Sequence, residues 1–242
     1  MRSSTEVSRV LELAGIGLGA SAIARRTGIP RATVRDWIAG RIPVSARPPG
    51  RPVVPAAAYS HLLGLYLGDG HVVRLRRTYM LRIFFDARYP GLIGEAVRTV
   101  RAIAADQRVS VFRKAPTNCV VVRSYWNAWP AVLPQHGPGR KHTRPIELER
   151  WQREITHAHP RELVRGLLNS DGSRHLNRIR HGAKVYAYPR YEFSNRSRDI
   201  QAILCEHLDL LGIPWRRSGA FNISVARREG VAALDEFVGP KR

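Results

Sequence analysis

The stretch Leu62-Leu63-Gly64-Leu65-Tyr66-Leu67-Gly68-Asp69-Gly70 recurs in altered form as Val164-Arg165-Gly166-Leu167-Leu168-Asn169-Ser170-Asp171-Gly172. Each copy has the composition of the end of an apolar helix, followed by an aspartate and a glycine. Small residues one turn apart let two helix backbones approach closely, because the side chains at the contact set the distance between helix axes. The repeat therefore predicts two helices that pack against each other through small residues.

An acid at each predicted helix end is the second feature of the repeat. Gly70 and Gly172 suit the left-handed position just after a helix. Asp69 and Asp171 then lie beside unpaired carbonyls at the negative end of a helix dipole. If the helices touch, two carboxylates and several carbonyl oxygens converge, and such hard ligands favour Mg²⁺ or a similar divalent ion. The alternative is an internal repeat whose aspartates only end helices, but two copies favour a metal site.

The two nonamers resemble the signature motifs of the LAGLIDADG homing endonucleases. The resemblance implies a pseudo-two-fold interface between the motif helices, double-stranded DNA as substrate, and Mg²⁺ or Mn²⁺ as catalytic ion with Ca²⁺ as a non-catalytic substitute. The metal ligands that it implies are two carboxylates and the carbonyls that precede them, from Asp69, Asp171, Gly68 and Ser170. The motifs depart from the family at the sixth position, where its second acid is replaced by Leu67 and Asn169.

The composition is strongly basic. The chain has 242 residues, with 40 Lys and Arg against 19 Asp and Glu, and a formal net charge of +21. A charge of this size favours binding to polyanions through counterion release. No apolar run has the length of a membrane span, the N-terminus lacks the core of a secretory signal, and Cys119 and Cys205 have no CxxC partner. We therefore expect a cytoplasmic protein without membrane contact, associated with the nucleoid when bound to DNA.

The N-terminal residues 1–40 resemble a helix-turn-helix module. Ala24 precedes a turn glycine, Gly28, by four positions, and apolar residues such as Val34 and Trp37 would hold the second helix against the first. The predicted recognition helix covers 30–39. The residues expected to face DNA near its start are Arg31, Thr33 and Arg35. A helical hairpin used for protein contacts is the alternative, and the basic outer face favours DNA.

The rest of the chain is predicted to be a duplicated α+β body. Residues 41–58 form a Pro- and Arg-rich extended linker. The first repeat covers 59–133, a basic linker covers 134–160, and the second repeat covers 161–242. Each repeat has the order α-β-β-α-β-β-α, with saddle-shaped antiparallel sheets as the resemblance implies. The predicted strands are 71–77, 79–85, 109–114, 119–125, 173–179, 186–194, 214–218 and 221–226, and the predicted later helices are 90–105, 198–211 and 231–237.

Several strands alternate apolar residues with arginine, which predicts one face on a core and one cationic face. Ordinary solvated faces are the alternative, but consistently basic faces favour a sheet that lines a DNA groove. The residues predicted to contact DNA in the body and its linker are Arg74, Arg76, Arg82, Arg113, Arg140, Lys141, Arg178, Arg180, Arg216 and Arg217. Because the two repeats lie in one chain, a monomer on DNA is expected.

The resemblance also implies a mechanism. Each aspartate would serve one DNA strand, which predicts a staggered double-strand cut through metal-assisted hydrolysis. The family's supporting lysines are replaced, at the positions assigned to them by internal alignment, by Arg123 and Arg227. Arginine stays protonated, so it stabilises phosphate charge but does not act as a base.

Two further functions stay open at this point. The combination of a helix-turn-helix module with this body also resembles bacterial transcription regulators that use the scaffold without cutting DNA. The retained aspartates favour the nuclease, whereas the arginines and the added module favour the regulator. An RNA-binding, maturase-like role fits the charge and the scaffold but has no separate support in the sequence.

Overall fold

The computed structural model describes residues 4–42, 52–182 and 184–242. The chain divides into two compact units, Met1–Pro52 and Val53–Arg242. The linker predicted for 41–58 falls mainly on residues 43–51, which lie outside the described residues. Its last three residues already belong to the first helix of the second unit.

The first unit contains three short helices: α1 (Ser4–Gly15), α2 (Ala20–Thr27) and α3 (Arg31–Ile38). Their buried apolar side chains form a separate core of Val7, Val10, Leu13, Ile23, Ile29, Val34 and Trp37. Gly28 ends α2 with a φ of 69°, and its N–H donates to the carbonyl of Ala24 at 2.9 Å. This left-handed turn, which favours glycine, sets the angle between α2 and α3. The use of the unit as a DNA-binding helix-turn-helix stays a prediction.

The second unit repeats one order of elements twice. Its first half consists of α4 (Ala56–Asp69), β1 (Gly70–Arg74), β2 (Tyr79–Asp86), α5 (Pro90–Ile103), β3 (Val109–Lys114), β4 (Cys119–Tyr125) and α6 (Trp129–Val132). A 3-10 helix (Lys141–Thr143) and α7 (Arg150–Ala158) follow. Its second half consists of α8 (Pro160–Asp171), β5 (Gly172–His181), β6 (Lys184–Ser194), α9 (Arg198–Leu210), β7 (Arg216–Gly219), β8 (Asn222–Val225) and α10 (Arg228–Phe237).

Each half builds one four-stranded antiparallel sheet with the same topology. The strand order is β1-β2-β4-β3 in the first sheet and β5-β6-β8-β7 in the second. The duplicated α+β architecture predicted from the sequence is therefore confirmed. Each predicted strand is present. The bounds of β3 and β4 equal the predicted ones, whereas β1 ends at Arg74 rather than at residue 77.

The core of the second unit surrounds α4 and α8. In α4 every residue from Tyr59 to Leu67 is buried, as expected for a helix that is apolar on all sides. Cys205 is buried and Cys119 is half-buried, and neither forms a disulfide. Across the part of the chain that the structure describes, no helix combines the length and apolar character that a membrane crossing requires.

Candidate functional site

The site is built on close contact between α4 and α8. A Cβ added to Gly64 would lie 2.5 Å from the carbonyl oxygen of Leu163 and 2.9 Å from the Cα of Gly166. Real Cβ atoms do not approach that closely, so the two helices touch backbone to backbone at this pair of glycines. The repeated small residues thus have the packing role predicted for them, and the contact brings the two helix ends side by side.

Gly70 and Gly172 follow the helix ends, but their predicted left-handed conformation is wrong. Their φ values are −88° and −94°, and both residues are extended. The structure gives a different reason for glycine: a Cβ on Gly172 would lie 2.5 Å from the carbonyl oxygen of Leu168, and one on Gly70 would overlap Tyr66. The strand starts directly against the last helical turn, and a side chain would block this turn of the chain.

Asp69 and Asp171 end α4 and α8 and lie in one cluster. A Cβ on Gly68 would lie 3.2 Å from Oδ2 of Asp171, so this carboxylate reaches the end of the other helix. Burial, and then the charge of Asp171, raise the pKa of Asp69 to about 6. Burial also raises the pKa of Asp171, although Asn195 Nδ2 donates to its Oδ2 at 2.6 Å and opposes the shift. The structure therefore brings the two predicted acids together.

Lys141 lies in this cluster, although the sequence pattern predicted it as a DNA contact. Its ammonium group donates to the carbonyl oxygens of Tyr66 at 2.5 Å, Gly68 at 3.0 Å and Gly70 at 2.7 Å. The ammonium also lies 4.9 Å from the centre of the Tyr66 ring. Burial lowers the pKa of Lys141 to about 8, while the charges of Asp171 and Asp69 oppose this shift.

Lys241 is the equivalent residue in the second half, and sequence reasoning missed it. Its ammonium group donates to the carbonyl oxygen of Ser170 at 2.9 Å. Burial lowers the pKa of Lys241, and Asp69 and Asp171 oppose the shift. A signal was present in the sequence, since Gly-Pro followed by basic residues occurs both at 137–141 and at 239–242. Each helix-end carbonyl that precedes an aspartate therefore accepts a hydrogen bond from one lysine.

Two cavities open beside the helix ends. The larger, of about 420 Å³, includes Asp171 and Lys141. Its other potentially charged residues, apart from Tyr66, are all basic: His71, Arg140, His142, Arg144 and Arg196. The smaller, of about 260 Å³, contains Asp69, Lys241 and a second acid, Asp86, beside aromatic side chains. The two halves of the site thus differ in charge although their backbones repeat.

The donor atoms at the helix ends fit a divalent ion. The carboxylates of Asp69 and Asp171 and the carbonyls of Gly68 and Ser170 are all hard oxygen ligands. Each of these two carbonyl oxygens already accepts a hydrogen bond from a lysine ammonium group. In the described part of the chain, no three or more His, Cys, Asp or Glu residues form a group that could hold a metal. An ion here would therefore rely on backbone carbonyls and retained waters as well as on two carboxylates.

Arg123 and Arg227 do not occupy equivalent positions, so their predicted correspondence is wrong. Gly70 pairs with Ile83 and Ile83 with Val122, whereas Gly172 pairs with Phe193 and Phe193 with Ile223. The register therefore matches Arg123 with Ser224. Arg227 lies beyond β8, at the start of α10. The predicted correspondence fails because β7, β8 and the turn between them are shorter than β3, β4 and their turn.

Arg123 itself lies on the open face of the first sheet, the face that does not contact the helices. Its Nε donates to Ser110 Oγ at 3.0 Å, and its guanidinium lies 5.2 Å from the centre of the Phe112 ring. Arg82 on β2 is the cross-strand partner of Arg123. Its Nη2 lies 3.0 Å from Nδ1 of His71. Arg123 therefore belongs to a basic surface on the open face.

The other predicted DNA contacts divide between the two faces of the sheets. Arg82 lies on the open face of the first sheet, and Arg216 lies on the open face of the second. Strand alternation places five others on the sides of the sheets that face the helices. Those five are Arg74, Arg113, Arg178, Arg180 and Arg217. Arg217, for example, donates to Gln201 of α9 at 2.5 Å. Arg76 lies in the turn between β1 and β2, and Arg140 lines the larger cavity.

The β5–β6 hairpin extends well beyond the second sheet. Because β6 pairs with β8 only over 191–194, the remainder forms a two-stranded ribbon. Ile179, Tyr186 and Tyr188 are exposed on its open face, and the two tyrosine rings lie nearly parallel, with centroids 6.4 Å apart. The sequence 172–191 contains no acid. Both strands of this hairpin were predicted from the sequence, but an exposed pair of tyrosines was not.

In the first unit, α3 begins at Arg31. Arg31 and Arg35 are exposed and Thr33 is half-buried, because Val34 and Trp37 take the core-facing positions of the helix. Their place at the start of α3 is the one predicted, and their contact with DNA stays a prediction.

No protein-family model matches the chain, and no curated protein sequence matches it. Solved structures similar to it include mesophilic variants of the homing endonuclease I-DmoI, with a TM-score of 0.50 and 10% identity over 76% of this chain and 96% of that chain. The LAGLIDADG meganuclease I-AabMI bound to uncleaved DNA gives 0.49 and 11% over 74% and 82%. Full-length DUF199/WhiA from Thermatoga maritima gives 0.49 and 14% over 79% and 58%. The protein therefore has the fold of the LAGLIDADG homing endonucleases.

Proposed function

We propose that the protein is a sequence-specific, divalent-metal-dependent endonuclease that hydrolyses both strands of a DNA duplex. The observation that carries the proposal is the convergence of the Asp69 and Asp171 carboxylates at two touching helix ends. Burial, and then repulsion from Asp171, raise the pKa of Asp69 to about 6, as expected for close carboxylates that a bound cation would stabilise. Mg²⁺ or Mn²⁺ suits these ligands, and Ca²⁺ is expected to bind without supporting catalysis.

The basic surfaces support duplex DNA as the substrate. The formal charge of +21 favours a polyanion, and the open face of the first sheet presents Arg82 and Arg123. A two-stranded ribbon such as β5–β6 has the width to enter the major groove, and exposed Tyr186 and Tyr188 supply contact area there. Since both halves of the site lie in one chain, we expect one chain per duplex.

In this reaction the residues of the chain would have separate roles. Asp69 and Asp171, with the carbonyls of Gly68 and Ser170, would hold the ion, which supplies activation of water and stabilisation of the leaving oxygen. Lys141 and the basic residues of the larger cavity would bind a backbone phosphate and stabilise its added negative charge. Each aspartate would then serve one phosphate of one DNA strand.

The test is cleavage of a library of duplex targets with Mg²⁺, Mn²⁺ or Ca²⁺. We expect a double-strand product with the first two ions and none with Ca²⁺. Asp69→Asn and Asp171→Asn should each lower the rate about 100-fold or more, because metal-assisted catalysis supplies several kcal/mol. Asp106→Asn, which changes an exposed acid outside the site, is the matched control. Cleavage that survives in both site variants would contradict the proposal.

A non-cleaving transcription regulator is the second candidate, and one observation favours it. Lys141 and Lys241 bring two positive charges to two carboxylates, so the helix ends are balanced without a metal. On that reading the same assay would give selective binding to some duplexes, with intact DNA under every ion.

A further inference from the structure

Both carbonyls proposed as metal ligands already accept a hydrogen bond from a lysine. Lys141 Nζ is 3.0 Å from the Gly68 oxygen, and Lys241 Nζ is 2.9 Å from the Ser170 oxygen. The lysines come from different elements, one from the 3-10 helix after the first half and one from the segment after α10. The same contact is therefore made twice, once in each half, by side chains outside the repeated helices.

The contacts of Lys141 resemble the ligation of a metal ion. A lysine ammonium group has three donors, and Lys141 directs them to the three carbonyl oxygens of Tyr66, Gly68 and Gly70. These oxygens surround the ammonium at the negative end of α4, where a cation is stabilised by the helix dipole. The position that a divalent ion would use is thus shared with a cation that belongs to the chain.

We propose that Lys141 and Lys241 are exchangeable internal cations of the helix-end cluster. Each holds its carbonyl while the protein is free, and a DNA phosphate draws the ammonium away so that the carbonyl becomes available to the divalent ion. The inference rests on the proposed function, because it takes these carbonyls as metal ligands. It adds that metal binding and duplex binding are coupled through two identified side chains.

The larger cavity supplies the force for the exchange at Lys141. Arg140, Arg144 and Arg196 line it together with Lys141, so a backbone phosphate is attracted to the side on which the lysine lies. Coupling between two ligands is reciprocal. DNA should therefore raise the affinity for the ion by the same factor by which the ion raises the affinity for DNA, and removal of the lysines should shrink this factor.

The experiment measures Mn²⁺ affinity of the full chain without DNA, from the electron paramagnetic resonance signal of free Mn²⁺. We expect Lys141→Met and Lys241→Met to bind Mn²⁺ about tenfold more tightly than the unchanged protein, within the usual range of coupling factors. Arg196→Met is the matched control for Lys141→Met, because it removes one positive charge from the same cavity without freeing a ligand carbonyl. It should change the affinity about twofold at most.

A second measurement follows the duplex. Fluorescence anisotropy of a duplex selected from the library, with Ca²⁺ or with a chelator, gives the factor by which the ion tightens DNA binding. This factor should be large in the unchanged protein and close to one in the double lysine variant. Lys141→Gln, which is neutral but keeps an amide group with two N–H donors, should lie between them. It replaces Lys141→Met if circular dichroism shows that the latter does not fold.

The outcomes separate the inference from the proposed function. Mn²⁺ affinities that are equal in the lysine variants, Arg196→Met and the unchanged protein would overturn the exchange while leaving a metal-dependent enzyme in place. An absence of Mn²⁺ binding in every variant, the double lysine variant included, would remove the metal centre and the exchange together. Tighter binding in the lysine variants alone supports both.

Discussion

At the scale of single residues, His61 shows how burial sets charge next to the helix contact. Its Nδ1 lies 3.0 Å from Thr99 Oγ1, and its Nε2 lies 3.4 Å from Glu95 Oε1. Glu95 is closer to Arg165, at 2.9 Å, so its charge is already compensated. Burial, and then the charge of Arg165, lower the pKa of His61 to about 4. The imidazole is therefore neutral in the folded protein at neutral pH.

The folded protein should lose stability in acid because of His61. Its pKa is lower in the folded than in the unfolded chain, so between about pH 6.5 and pH 4 only the unfolded chain takes up the proton. The free energy of unfolding should fall by about 3 kcal/mol over this range. In His61→Gln this part of the pH dependence should be absent, as urea unfolding at pH 7 and pH 4 would show. Equal losses in both proteins would contradict the lowered pKa.

The sequence predicted the two aspartates of the site but not the lysines. Asp69 and Asp171 follow from a local pattern, since each ends its own helix. Lys141 and Lys241 reach the same cluster from segments without regular alternation, and only the folded path of those segments shows where a long side chain ends. The glycines after the helices were predicted to adopt a left-handed conformation, and both are extended instead.

At the scale of elements, the contact between α4 and α8 should tolerate no added atom. Gly166→Ala places a Cβ against the carbonyl of His61 and the Cα of Gly64, so the helices must separate. Overpacking of this kind costs roughly 1–3 kcal/mol or more. Urea unfolding should show this loss for the Val53–Arg242 unit.

Gly94→Ala in α5 is the control for that substitution. The nearest atom to its Cβ would be Arg98 Nη1 at 3.5 Å, an ordinary contact. Because alanine favours a helix over glycine by up to about 1 kcal/mol, this variant should be as stable as the unchanged protein or more so. A Gly166→Ala protein of equal stability would show that the helices do not touch as described.

The strands illustrate what alternation can and cannot predict. The strand composition located β3 and β4 at their observed bounds, although β3 has no fully buried residue and β4 is buried at three consecutive positions. It did not tell which arginines face the open side, since that depends on which of two alternating sets contacts the helices. Arg113 and Arg178 belong to the helix-facing set, and the open face of the β5–β6 ribbon carries Tyr186 and Tyr188 instead.

At the scale of the whole molecule, the two units should be separable. The Met1–Pro52 unit has its own core, so a chain that begins at Val53 should keep the thermal unfolding temperature of the larger unit. Its affinity for a selected duplex should fall at least about tenfold, because linked binding modules gain affinity from their connection. Anisotropy titrations of both chains would measure this. An unchanged affinity would remove the predicted DNA-binding role of the first unit.

The duplicated architecture was accessible from the sequence because two motif copies and two sets of alternating strands point to the same arrangement. The unequal charge of the two cavities could not be predicted from the sequence. It arises because the register matches Asp86, at the end of β2, with Arg196, two residues after β6. A repeat is recognised by what its copies share rather than by where they differ.

The glycine contact between α4 and α8 has a consequence for any half-length version of the chain. A fragment with one motif exposes a helix face built to accept a closely similar helix, so two such fragments should associate with each other about a true dyad. Their preferred DNA would then be a palindrome, whereas the full chain, with one acidic and one cationic cavity, is suited to a sequence whose two arms differ.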